Sequence, residues 1–303
     1  MREAREARTM SELSILEDRG AVSVTGPDAE KLLGGLITNE MAVLDTAPAI
    51  YAGLLSPQGK ILFDFFVVRA GEGYLLETAR ERAGDLAKRL SMYKLRADVS
   101  IRDVSGDYVI AAEIGGDASV PLAEPAGAIA FADPRLSALG VRLILPSPAE
   151  IGEQFGARVP AEAYHAHRIA LGVPEGGKDF VFGDTFPHEA LLDQLHGVSF
   201  TKGCFVGQEV VSRMQHRTVV RKRVVAVSAG VPLPAGPVPI TIGEAEIGRL
   251  GSVAGARGLA LLRIDRVAEA QRDGKPVTVD GIPLTVSVPA FATFAIKVSH
   301  ETA

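Results

Sequence analysis

Apolar and polar positions alternate over Ala21-Val-Ser-Val-Thr25, the two-residue period of a half-buried strand. At Pro27 the period changes. Proline in the first helical position, Asp28 and Glu30 in the first turn, and Leu32, Leu33, Leu36 and Ile37 at helical spacing predict a helix through about Ile37. Thr38-Asn39-Glu40 stops it. Residues 51–55, the turn Ser56-Pro-Gln-Gly59 and residues 61–68 predict a hairpin. Gly71-Glu-Gly73 leads into a third strand at 74–78, and the charged stretch 80–95 has helical spacing. Further strands are expected at 99–104 and 108–114, so a sheet with one crossing helix, of the split β-α-β kind, is the economical reading.

Residues 115–160 are rich in Ala, Pro and Gly and show no clear period. Ala161–Leu171 reads as a helix ended by Gly172-Val-Pro174, and 206–216 as another. Between them, residues 173–203 lack periodicity, which predicts a long ordered loop lining something. From Arg221 short β-rich runs alternate with turn clusters, at 224–227, 238–242, 245–253, 258–264, 277–279 and 282–288, the texture of a small barrel. The domain boundary is placed near residue 220, with a leader over 1–12, an α+β region over 13–220 and a barrel over 221–303. No internal repeat or low-complexity tract is found.

Composition narrows the class. The chain has 303 residues, 47% hydrophobic and 23% charged, enough for two or three domains with sizeable cores and incompatible with whole-chain disorder. Its richest apolar stretch, residues 60–69, is far shorter than the ~20 residues a spanning helix needs. A net charge of −5 argues against generic nucleic-acid binding. Cys204 is the one cysteine, which excludes an intrachain disulfide, a multi-thiolate zinc site and an all-Cys cluster within one chain. A lone cysteine suits a reducing compartment. The N-terminus has mixed charge and no apolar core, so a cytoplasmic protein with a frayed leader is expected.

Candidate chemistry is sparse outside one segment. Gly172-Val-Pro-Glu-Gly-Gly-Lys-Asp179 resembles a phosphate loop, but Asp179 replaces the magnesium-binding hydroxyl and the segment follows a helix. The six histidines form no His-Glu-x-x-His pattern, there is no Gly-x-Ser-x-Gly elbow, and no resident metal site is expected. The dense segment is Phe200-Thr-Lys-Gly-Cys-Phe-Val-Gly-Gln-Glu-Val-Val-Ser-Arg213. Gly203 and Gly207 permit unusual backbone angles around Cys204, which sits just before a helix N-terminus with Lys202 two residues away. Two readings stand together: a thiol favoured as thiolate, or a packed inert cysteine. Glu209 and Arg213 are either a surface i,i+4 pair or part of a site. The run His216, Arg217, Arg221, Lys222 and Arg223 is either an anion-binding patch or a solvated face.

Lys202-Gly-Cys-Phe-Val-Gly-Gln-Glu209 with Arg213 resembles the signature of the YgfZ family of folate-binding proteins. The tail Gln215-His-Arg-Thr-Val-Val-Arg-Lys-Arg223 resembles that family's mitochondrial iron–sulfur assembly branch. Val24-Thr-Gly-Pro-Asp-Ala29, Leu36-Ile-Thr-Asn39, Ser56-Pro-Gln-Gly-Lys60, Tyr93-Lys-Leu-Arg96 and Phe186-Pro-His-Glu-Ala190 with Asp193 follow in family order, over about residues 12–300.

The resemblance implies the fold of the wider superfamily of the glycine-cleavage T-protein, an aminomethyltransferase. That is an α+β, three-domain ring around a central folate channel, with two interleaved α+β domains (one about 50–115) and a C-terminal small β-barrel. It implies tetrahydrofolate or a derivative as cofactor, with Tyr51, Gln58, Asp64, Arg96, Gly203, Gly207, Gln208, Glu209 and Arg213 as binding residues and Cys204 with Lys202 as the functional motif. Basic residues after Arg213 would meet the folate's glutamate tail. The chain has Phe63-Asp64 where the enzyme has paired aspartates, and Ala170 where it has a folate-binding glutamate, so aminomethyl transfer is not expected. The implied role is an accessory factor for assembly or repair of iron–sulfur clusters in client enzymes, tRNA-thiolating ones included, with iron–sulfur assembly proteins as partners and neither nucleic acid nor membrane bound directly. A folate-dependent aminomethyltransferase and a ligand-free scaffold are the alternatives.

Overall fold

The computed structural model describes residues 11–115, 127–148, 157–217 and 220–297. Most of the expected leader, and much of the 115–160 stretch, lie outside them. The described residues form two compact units: Ser11–Tyr164 with Leu195–Gln208, and His165–Gln194 with Glu209 onward.

The first unit is built on two five-stranded sheets. In one, β2 (Arg19–Thr25), β3 (Ala49–Leu55), β4 (Ile61–Ala70), β5 (Gly73–Ala79) and β6 (Ser100–Asp103) run antiparallel in the order β3-β4-β5-β2-β6. Two helices, α1 (Ala29–Leu36) and α2 (Arg80–Lys94), cover one face. Strand alternation sends Val22, Val24, Ile50, Leu54, Phe63, Phe65, Val67 and Leu76 to that face, where Leu33, Leu36, Leu86 and Leu90 meet them. The sheet thus carries two helices, not the one crossing helix expected. Arg80–Lys94 forms as predicted, but α1 also lies on the sheet, because its Leu33 and Leu36 need the same buried surface.

The second sheet has the order β10-β1-β7-β9-β8. Its strands are β1 (Glu12–Ile15), β7 (Tyr108–Ile114), β8 (Ile129–Ala132), β9 (Val141–Pro146) and β10 (Ala157–Val159). All but Tyr108–Ile114 escaped the sequence reading. Three or four residues are too few to show a period, and β9 carries Arg142 among its apolar residues.

Between the sheets the strands' other faces bring together buried charge. Arg19 Nε donates to Glu77 Oε1 at 2.6 Å, and Arg142 Nε stands 3.5 Å from Glu77 Oε2. Arg135 grips Asp133 bidentately at 3.0 and 2.8 Å, and both Arg135 and Arg142 donate to the Tyr164 hydroxyl. Phe66 lies beneath both guanidiniums, at 4.8 and 5.0 Å, and against Phe131.

The second unit holds the closed barrel, in the order β11-β14-β13-β12-β15-β16. Its strands are β11 (Lys222–Ser228), β12 (Val238–Ile242), β13 (Ala245–Ala254), β14 (Arg257–Arg263), β15 (Val277–Val279) and β16 (Ile282–Ser287). The expected strands are all present. A helix, α5 (Ile264–Arg272), follows β14 and buries Ile264, Val267 and Ala268.

Helix α3 (Ala161–Leu171) ends at Gly172, φ +84, where a Cβ would stand 2.6 Å from the Pro289 Cβ. The loop beyond it is irregular, as expected, and is pinned by the fully buried Arg168. That guanidinium bonds Val173 O at 3.1 Å, Asp179 Oδ2 at 2.7 Å and Ser252 Oγ at 2.7 Å. The failed phosphate loop is therefore the partner of Arg168, with Glu175 3.1 Å from its Nε. Gly177–Val181 and β13 residues 248–253 border a cavity of about 720 Å³ that Lys222 also reaches.

Candidate functional site

The segment from His196 to Gln208 crosses the first unit as a strap held at both ends. At its start, Asn39 Nδ2 donates to His196 O at 2.7 Å and to Tyr51 O at 2.8 Å. Thr38 Oγ1 donates to Gly197 O at 2.6 Å and accepts from Gly53 N at 2.7 Å, while Ser199 N donates to Thr38 O at 2.9 Å. Leu36-Ile-Thr-Asn39 thus forms the socket for the strap. In the sequence it marked the end of a helix and one piece of the family resemblance, not a socket; its polar pair after an apolar run was the available signal.

Lys202 follows. Its side chain is buried and its Nζ lies 2.8–2.9 Å from the carbonyl oxygens of Gly34, Ile37 and Asn39. Burial lowers the ammonium's pKa, opposed by the charge of Glu40. At the other end, Phe205 is buried and Val206 packs on the helix-side core. Gly207 adopts φ +83; a Cβ there would stand 2.7 Å from Ser56 O and 3.1 Å from Gly59 Cα. Only glycine allows the strap this close to the β3–β4 turn. Gly203 has no such requirement: its φ is not positive and nothing lies within 4 Å of an added Cβ.

Cys204 is exposed, between buried Lys202 and buried Phe205. Helix α4 (Gln208–Arg217) starts four residues later, with Gln208 N donating to Phe205 O at 3.2 Å. Of the two readings of the thiol, the packed one is set aside by its exposure. Glu209 and Arg213 pair at 3.0 Å, with side chains 88% and 60% exposed, which makes them a surface i,i+4 pair.

The other expected contacts scatter. Tyr51 and Asp64 meet at 2.8 Å, hydroxyl to Oδ2, but both are buried in the inter-sheet layer. Burial, then the Asp64 charge, pushes the Tyr51 pKa up, so the phenol stays protonated. Gln58 is exposed on the β3–β4 turn. Arg96 is exposed just before β6, at the opposite edge of the sheet from Tyr51; three strand spacings separate β4 from β6, about 14 Å. Tyr51, Asp64 and Arg96 therefore do not converge. Nor is the basic run after Arg213 one patch: Arg223 is buried on Asp193 at 2.9 and 3.0 Å and stacked 4.7 Å from the Phe294 ring.

Two family models match, one described as the GCVT N-terminal domain, over residues 1–133, and one as the CAF17 C-terminal beta-barrel domain, over 221–294. The iron–sulfur cluster assembly factor IBA57, mitochondrial, of Homo sapiens is 34% identical over 275 residues, covering 83% of this chain and 77% of that protein. The homolog of Mycosarcoma maydis is 37% identical over 243 residues; there the chain spans 59% of the relative's length. Among solved structures, the crystal structure of glycine cleavage system aminomethyltransferase T from Bartonella henselae aligns with a TM-score of 0.74 over 96% of this chain and 89% of that one, at 19% identity, a likeness of fold alone. The cytoplasmic expectation is overturned, since these relatives and those of Neurospora crassa and Mus musculus are named mitochondrial. A lone cysteine reports that disulfides are absent, not which reducing compartment holds the chain. The two matched domains and the human relative agree: the chain belongs to the IBA57 family of iron–sulfur cluster assembly factors, on an aminomethyltransferase-like fold.

Proposed function

We propose that the chain is an accessory factor for assembly or repair of iron–sulfur clusters in client enzymes, tRNA-thiolating enzymes among them, and that Cys204 is the atom it offers. The observation that carries this reading is the display of one exposed thiol between two buried anchors on a strap fixed at both ends. Such a loop presents sulfur at a defined place without ordering cost at the encounter. A single thiolate does not hold a two- or four-iron cluster, so the remaining ligands come from a partner protein or a small thiol.

Aminomethyl transfer is not part of the proposal. Where the resemblance implies a pair of carboxylates, Phe63 is buried in the helix-side core and Asp64 is buried against Tyr51. Reduced folate remains in the proposal, supported by the fold likeness. Within the first unit, Arg96 lies at the far edge of the sheet from Tyr51 and Asp64. In cells lacking their own factor, expression of the chain should restore iron–sulfur enzyme activity; folded protein that restores none overturns the reading. Calorimetry with tetrahydrofolate should show saturable binding, and a flat titration removes folate while leaving the Cys204 role standing.

A further inference from the structure

The Lys202 ammonium has three N–H donors, and three carbonyl oxygens stand within 2.9 Å of it: Gly34, Ile37 and Asn39. These acceptors lie at the C-terminal end of α1, where carbonyls lack helical partners and the helix dipole presents its negative end. Basic side chains commonly sit there, yet α1 has none in its last turn. The cation arrives instead from 165 residues further along the chain. The Phe205 ring lies 5.3 Å from the same Nζ, so the residues flanking Gly203-Cys204 also hold each other.

We propose that Lys202 is a positioning residue for Cys204: its ammonium clamps the thiol-bearing loop to the end of α1, and the fixed display of the thiol depends on that clamp. The proposal builds on the reading of Cys204 given above and adds how the thiol is held. With its three donors engaged by carbonyls, the ammonium has none left for the sulfur, so its service to Cys204 is geometric. A Cβ added at Gly203 would meet nothing within 4 Å, so side-chain packing at that position is not what would hold the loop.

Cys204 is the chain's only cysteine, so a nitroxide attached there reports on this loop alone. In the parent protein the spectrum should show restricted motion. In Lys202→Met, with folding confirmed by its melting curve, the label's rotational correlation time should shorten about threefold or more, within the nanosecond range of loop motion. Lys202→Arg, whose guanidinium still caps carbonyls, should recover most of the restriction. If Lys202→Met does not fold, Lys202→Gln, with two donors and no charge, takes its place. An unchanged spectrum in the neutral variant overturns the proposal. So does equal loosening in the neutral and Arg variants with broadened melting, which marks Lys202 as a general stabiliser. The label is read on purified protein, so failure of the clamp and failure of the cellular role are separate results.

Discussion

Gly203 and Gly207 look alike in the sequence, one on each side of Cys204, yet they do different work. Gly207 is left-handed and within van der Waals reach of the β3–β4 turn, whereas Gly203 is neither strained nor crowded. Gly207→Ala should therefore cost about 1–3 kcal/mol, from strain and displaced backbone. Gly203→Ala should stay within about 0.5 kcal/mol, as exposed substitutions usually do. Urea unfolding of the two variants side by side checks this, and equal losses would contradict it. The motif's residues were legible, but which glycine is needed was not, because φ there is set by a turn 150 residues earlier in the chain. Lys202 shows the same limit. Its nearness to Cys204 in sequence suggested thiolate activation; the fold instead sends its side chain to a helix end.

Elements with enough residues to show a period were read well: the β3–β4 hairpin, α2, α3 and the barrel strands. The second sheet was read only at Tyr108–Ile114, since its other strands are short or, like β9, carry a charged residue among apolar ones. The sandwich layer of Arg19, Glu77, Asp133, Arg135 and Arg142 has no hydrophobic pattern to find. It has a pH signature instead. Burial alone would raise the Asp133 pKa, but the Arg135 charge and hydrogen bonds, with Arg142 behind, hold it below the usual carboxylate value. A carboxylate whose folded pKa is depressed stabilises the fold fully above its unfolded pKa, about 3.9, and loses that contribution as pH falls through the folded value. Stability of the first unit should therefore drop steeply below about pH 4. Asp133→Asn should cost about 3–5 kcal/mol at neutral pH, by leaving Arg135 buried without its partner, and should flatten the acid limb. Denaturant titrations from pH 3 to 7, an interval chosen to bracket the carboxylate range, test both. An acid limb unchanged in the variant would place the titrating groups elsewhere.

Over the whole molecule, family and fold were legible because Lys202-Gly-Cys-Phe-Val-Gly-Gln-Glu209 is specific and the barrel strands are regularly spaced. The address was not: charge and cysteine usage carry no compartment label, and the relatives are named mitochondrial. The fold is kept at 19% identity to an aminomethyltransferase, a likeness of fold alone; the resemblance implies carboxylates where this chain has Phe63 and Ala170, and the proposed role does without them. What the proposal asks of the molecule is that one exposed sulfur matter for function and hardly for folding. The most direct measurement is Cys204→Ser, read by thermal melting and by rescue of iron–sulfur enzyme activity in cells lacking the native factor. The melting midpoint should stay within a few degrees of the parent, the shift for about 1 kcal/mol or less, while rescue is lost. Full rescue by the serine protein, or loss of rescue only because that protein unfolds, would contradict the assignment of function to Cys204.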